Sequence, residues 1–137
     1  MIPRPALVLA IAGLIPFVSA ALALHLPLPL PELFGPPRDM LLAYGKIILS
    51  FMGGCLWGFG ARVDAPSFVT LTVSVLPALY AFLLVGSNLI LLGLGFALLL
   101  AADFWFARRG LAPAWWTSLR LPITAGAVLS CLTGALA

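Results

Sequence analysis

The chain has 137 residues, 64% of them hydrophobic and only 8% charged, with a net charge of +3. A soluble domain carries roughly 25% charged residues, so this composition excludes a water-soluble globular fold and calls for hydrocarbon as the outer solvent. The arginines stand at the ends of apolar runs, where basic residues set orientation and meet lipid head groups, and no basic run could track a phosphate backbone, which excludes nucleic-acid binding.

The first apolar segment runs from about Pro5 to Leu26, with His25 near its end. Arg4, the apolar stretch and Val18-Ser19-Ala20 together look like a signal peptide and its cleavage site. The apolar run continues past that site, so a retained helix kinked near Pro16 is expected. Residues 27–40 form a proline-rich outer loop with Pro27, Pro29, Pro31, Pro36 and Pro37 among Glu32, Arg38 and Asp39. Alternating proline and leucine favours extended chain along the interface, and Asp39 is placed to cap the next helix.

The second segment runs from about Leu41 to Gly60, the third from about Phe68 to Val85 with Pro77 inside, and the fourth from about Asn88 to Ala107. Read as one helix, Phe68 to Ala107 would be roughly 60 Å long, twice the hydrocarbon thickness, so Gly86-Ser87 is expected to turn a tight hairpin. The fifth runs from about Ser118 to Leu136, with Pro122 in its first turns. No segment alternates polar with apolar as a membrane barrel requires. The expected fold is all-α: one polytopic domain of about five transmembrane helices in a bundle.

Five spans put the termini on opposite sides. The N-terminal side carries Arg4, Arg62, Arg108, Arg109 and Arg120, against Arg38 and Lys46 on the other. The positive-inside rule then places the N-terminus in the cytoplasm and the C-terminus in the periplasm of a bacterial inner membrane, or the N-terminus in the matrix of a mitochondrion. Trp57, Trp105, Trp115 and Trp116 fall near the same face as the arginines, at the head-group level that indole prefers.

Two stripes of small residues recur at every fourth position: Ser50, Gly54 and Gly58 in the second segment, and Gly126, Ser130 and Gly134 in the fifth. Such stripes let another backbone approach closely, so both are expected to pack inside the bundle or against a partner, the alternative being a ligand or ion path beside exposed backbone.

Asp103 is the one acidic residue well inside an apolar segment, with Arg62 and Arg120 at the same depth on the second and fifth. An unpaired carboxylate there is costly, so pairing with an arginine is expected, either as a salt bridge tying helices together or as an ion-coupled or anion site. On the opposite side His25, Lys46, Glu32 and Asp39 make a thin polar cluster suited to interfacial anchoring, with a proton relay or metal site as the alternative. One histidine cannot furnish a metal set, axial haem ligation on both faces or a Ser–His hydrolase at the depth of most serines, and no glycine-rich loop joins a strand to a helix. No catalytic residue, cofactor or metal is expected. Cys55 and Cys131 lie roughly 10 Å apart in depth, too far for a disulfide.

The run Tyr44-Gly45-Lys46-Ile47-Ile48-Leu49-Ser50-Phe51-Met52-Gly53-Gly54-Cys55-Leu56-Trp57-Gly58 resembles the signature of the domain-of-unknown-function 3429 family of small bacterial and mitochondrial membrane proteins. Gly13-Leu14-Ile15-Pro16-Phe17 resembles the family too, as does Gly110-Leu111-Ala112-Pro113-Ala114-Trp115-Trp116 followed by Leu119-Arg120 and Pro122-Ile123-Thr124. The chain departs from the pattern at Leu56, where arginine or another polar residue is expected, and at Trp116, where tyrosine is usual. The resemblance implies an inner-membrane location and brings no activity.

Three functions fit what remains. The first is a non-enzymatic accessory or assembly subunit of a larger inner-membrane complex, respiratory or photosynthetic, with lipids and other membrane subunits as partners. The second is a small transporter or channel using an Asp103–Arg62/Arg120 site, with Pro16, Pro77 and Pro122 marking broken helices. The third is a membrane enzyme acting on lipid or quinone, which needs a positioned acid–base pair.

Overall fold

A computed structural model describes every residue, Met1–Ala137. It contains five α-helices: α1 (Arg4–Ala23), α2 (Pro37–Ala61), α3 (Phe68–Leu83), α4 (Leu89–Arg108) and α5 (Trp116–Ala135), with one 3₁₀ turn at Glu32–Phe34 in the loop before α2. The chain is an all-α polytopic membrane protein.

Local chemistry explains where the helices start and stop. α1 ends at Ala23, before the expected Leu26, because Pro27 disfavours helical backbone at the residue preceding it. The amides of Leu24, His25 and Leu26 instead close a last turn onto Ala21 and Leu22. α2 begins at Pro37, earlier than the expected Leu41. Proline suits a first helical position, since its φ is preset and its missing N–H would have no partner there. Asp39 therefore makes no capping bond and sits inside the first turn, where its charge favours the helix dipole.

α4 has the one side-chain cap: Asn88 Oδ1 accepts from the amides of Ile90 at 2.9 Å and Leu91 at 3.1 Å. Gly86 supplies the left-handed backbone, φ 54°, that turns the chain from α3 into this cap. Asn88→Ala should lower stability by about 1 kcal/mol, read as a shifted unfolding midpoint in mixed micelles.

Four helices are long and apolar enough to cross a membrane, and α3, at 16 residues, is shorter. Its length is about 24 Å against hydrocarbon of roughly 30 Å. It nevertheless covers the depth of α2. Gly60 at the end of α2 meets Thr70 and Leu71 at the start of α3, and Gly53 meets Ser74 and Pro77. At the other end Arg38, in the first turn of α2, donates to the Ser87 carbonyl at 3.1 Å. α2 and α3 thus form an antiparallel hairpin.

α4 and α5 form a second antiparallel pair, with Gly93 against Cys131 and Asp103 against the start of α5. α1 runs parallel to α5, with Leu14 against Gly126 and Leu24 against Gly134. At the centre Phe17 meets Tyr44 and Phe96 edge-on, with ring centroids 5.1 and 5.4 Å apart. The Tyr44 hydroxyl donates to the Gly13 carbonyl at 2.8 Å, binding α2 to α1, and the Tyr80 hydroxyl donates to the Leu91 carbonyl, binding α3 to α4. The outer surface carries Val8, Ile11, Phe82, Leu94 and Leu98, all exposed. In water so continuous an apolar surface would aggregate; in a bilayer it is the solvated face.

The two small-residue stripes differ. On α5, Gly126 and Gly134 receive leucines of neighbouring helices and Ser130 is buried. On α2, Gly54 and Gly58 face outward, with nothing within 4 Å of a would-be Cβ. Gly45, Gly53 and Gly60 make the close contacts of α2 inside the bundle instead. Adjacent residues on a helix point about 100° apart, so spacing alone does not say which glycine of the Gly53-Gly54 pair faces inward.

Candidate functional site

The buried charges lie at one place, where the last turns of α4 meet the first turns of α5. Asp103 on α4 is 0% exposed and Arg120 on α5 is 4% exposed. Arg120 Nε donates to Asp103 Oδ2 at 3.0 Å, and Trp116 Nε1 donates to Asp103 Oδ1 at 2.7 Å. Trp116 and Arg120 stand one turn apart on the same face of α5 and bracket the carboxylate. This is the one salt bridge in the chain. Phe59 of α2 packs edge-on against Trp116 with centroids 4.9 Å apart, closing the cluster from a third helix.

Both carboxylate oxygens are engaged by charge-assisted or indole donors, which is what lets an ionised side chain sit away from water. The arrangement neutralises the arginine and holds the carboxylate still; it does not offer Asp103 to a passing solute. Arg62 stands apart. α2 runs on to Ala61, so Arg62 lies past the helix end, exposed, and donates to the Leu111 carbonyl at 2.8 Å. It fastens α2 to the α4–α5 loop and takes no part in the ion pair, against the expectation of an Asp103–Arg62 site.

The tryptophans also divide. Trp57 points outward, Trp105 is half-buried beneath Arg109, whose guanidinium lies 4.8 Å from the ring centroid, and Trp115 is half-buried against Trp116. Trp116 is the exception to the interfacial reading: it is buried and serves as a hydrogen-bond donor. On the opposite side no joint polar cluster forms. His25 Nε2 donates to the Thr133 carbonyl at 2.7 Å, and Lys46 pairs with neither Glu32 nor Asp39. Leu56 is fully buried in the apolar core.

Beside the ion pair a cleft of about 370 Å³ opens between α1, α2 and α5. Its walls are mostly apolar, among them Leu9, Phe17, Phe51, Met52 and Ala127, and Cys55 lies on its α2 side. Leu9 and Phe51 are themselves largely exposed on the outer surface, so the cleft opens sideways toward lipid. Arg120 and Thr124 border it, and each has one buried side-chain atom without a protein partner, Nη2 and Oγ1. The sequence carried a signal for the ion-pair partner in the Trp116-to-Arg120 spacing of one helical turn; it carried none for Thr124, whose role depends on where α1 stands.

The profile of the family described as protein of unknown function (DUF3429) matches residues 2–136. The chain belongs to the DUF3429 family. Among curated proteins the DUF3429 chain is similar to transmembrane protein 69 of Xenopus tropicalis, 38% identical over 146 residues, which covers 98% of this chain and 54% of that protein. It is also similar to transmembrane protein 69 of Mus musculus, 31% identical over 83 residues, covering 58% of this chain and 33% of that protein. The chain thus spans about half the length of the Xenopus relative, and its alignment to the mouse protein is shorter still. No solved structure matches it.

Proposed function

We propose that this DUF3429 chain is a non-enzymatic accessory or assembly subunit of a larger inner-membrane complex, respiratory or photosynthetic. The observation that carries this reading is the outward stripe of Ser50, Gly54 and Gly58 on α2. Gly54 and Gly58 are exposed and would meet nothing on gaining a Cβ, between the large exposed side chains of Ile47, Phe51 and Trp57. A flat strip flanked by bulky residues is the shape that lets a second transmembrane helix approach closely. Two further features agree with it. Nearly the whole chain is helix and short connection, and its buried carboxylate is fully engaged rather than available for acid–base work or solute binding.

The membrane is proposed to be the bacterial cytoplasmic membrane or the mitochondrial inner membrane, with the N-terminus on the cytoplasmic or matrix side. Arg4, Arg62, Arg108 and Arg109 support this against Arg38 and Lys46. Arg120 is neutralised by Asp103 and drops out of that balance.

The test is co-purification from native membranes of the tagged chain and of a Gly54→Leu/Gly58→Leu variant. Because neither position touches the bundle, the variant should keep its own stability within about 0.5 kcal/mol yet lose its co-migrating subunits on a native gel. A solitary, monodisperse wild-type protein, with unaltered complexes in a deletion strain, would refute the reading.

A further inference from the structure

We propose that the recess where the α2–α3 turn meets the α4–α5 loop seats the phosphate of an anionic phospholipid. Its walls include Gly60 at the end of α2, Ser67 and Thr70 at the start of α3, and Arg109 and Leu111 just past α4. Two guanidinium groups meet there. Arg109 is itself a wall, and Arg62 donates to the carbonyl of Leu111, another wall, at 2.8 Å. The Arg109 guanidinium lies over the Trp105 ring, 4.8 Å from its centroid. Such stacking holds the side chain and leaves its N–H edge for an acceptor. Ser67 brings a hydroxyl that makes no capping bond.

Charge selects the ligand. Neither arginine has a carboxylate within salt-bridge distance, because the one ion pair in the chain joins Arg120 to Asp103. Arg108 adds an exposed cation next in sequence to Arg109, and Asp64, exposed in the α2–α3 turn, pairs with none of them. Uncompensated cations in a recess walled by low-dielectric protein concentrate positive potential, and the planar guanidinium fork matches phosphate oxygens. The volume, about 170 Å³, lies below the roughly 300–1,000 Å³ of drug-sized ligand sites, so it takes a head group and leaves the remainder outside. Outside it stand Phe68 and Val69, next to Ser67, as exposed apolar side chains that acyl chains can follow. That continuity of basic recess and apolar surface fits a lipid better than free phosphate. A zwitterionic choline lipid carries its own cation beside the phosphate and gains less than an anionic one.

The delipidated full chain in maltoside micelles is titrated separately with dioleoyl phosphatidylglycerol, dioleoyl phosphatidylcholine and sodium phosphate at constant ionic strength. Thermal unfolding is followed by tryptophan fluorescence, since a ligand of the folded state raises the midpoint. Phosphatidylglycerol should raise it saturably, whereas the choline lipid and inorganic phosphate at the same concentrations should not; this contrast needs no variant. Arg62→Gln and Arg109→Gln, both at exposed positions, should each need about tenfold more phosphatidylglycerol for the same shift, the worth of a hydrogen bond to a charged group. Arg4→Gln removes the same charge from the same end of the bundle without bordering the recess, and should leave the titration unchanged. Equal shifts from the choline lipid, an equal shift from phosphate alone, weakening as large in Arg4→Gln as in the other two, or no shift from any probe overturns the proposal.

Discussion

Replacing Arg120 with methionine should lower the unfolding free energy of the bundle by about 3–5 kcal/mol, the cost of leaving a buried charge without its partner. Asp103 is 0% exposed, and the arginine is its only counter-charge. Methionine is unbranched but shorter, so comparison with a double variant is what separates charge from packing. Adding Asp103→Leu should recover part of it, because an apolar pair in place of a buried ion pair is often neutral or stabilising, less the cost of the Trp116 indole N–H that loses its acceptor. Trp116→Phe removes only the indole donor to Oδ1, and should cost about 2 kcal/mol, as for a hydrogen bond to a charged group. Equilibrium unfolding in mixed micelles ranks the three. A double variant as unstable as Arg120→Met alone would show that packing, not charge compensation, holds α4 to α5.

The second large effect separates two neighbouring glycines. In Gly53→Ala the new methyl would sit 2.7 Å from the Ser74 carbonyl oxygen and 3.2 Å from the Pro77 ring. Neither obstacle can rotate away: one is helix backbone and the other a ring that locks its own φ. The hairpin of α2 and α3 must open, at about 1–3 kcal/mol for overpacking. Gly54→Ala meets nothing within 4 Å, and should be neutral or stabilising by up to about 1 kcal/mol through helix propensity. The same denaturation series measures both. Equal losses at the two positions would mean that α2 is rotated from the orientation described.

These positions also show how far the sequence could be read. The helices were legible because apolar length and glycine or proline breaks are one-dimensional signals, and lipid leaves few alternatives to a helix. Which face of each helix points inward was not. A globular helix in water reveals its azimuth by a polar outer face, but lipid accepts the same leucines as the core. Ser50, Gly54 and Gly58 match Gly126, Ser130 and Gly134 in spacing, yet one stripe faces out and the other in. Asp103 and Arg120 stood out because charge is scarce. Trp116 was read by residue type as interfacial, whereas its helical phase with Arg120 turns it toward Asp103. The cleft was beyond the sequence altogether, since it arises from how the side chains of three helices, α1, α2 and α5, meet in space.

The path of the chain through the bilayer turns on α3, the shortest helix. If α3 crosses, five passes place the termini on opposite faces. Ile2→Cys and Ala137→Cys, each introduced alone with Cys55 and Cys131 changed to alanine, decide the matter in sealed vesicles of one orientation. A membrane-impermeant maleimide applied outside should label one of them at once and the other only after the vesicles are opened. Immediate labelling of both, or of neither, would place the two ends on one face, reduce α3 to a surface or re-entrant segment, and contradict the five-helix transmembrane bundle.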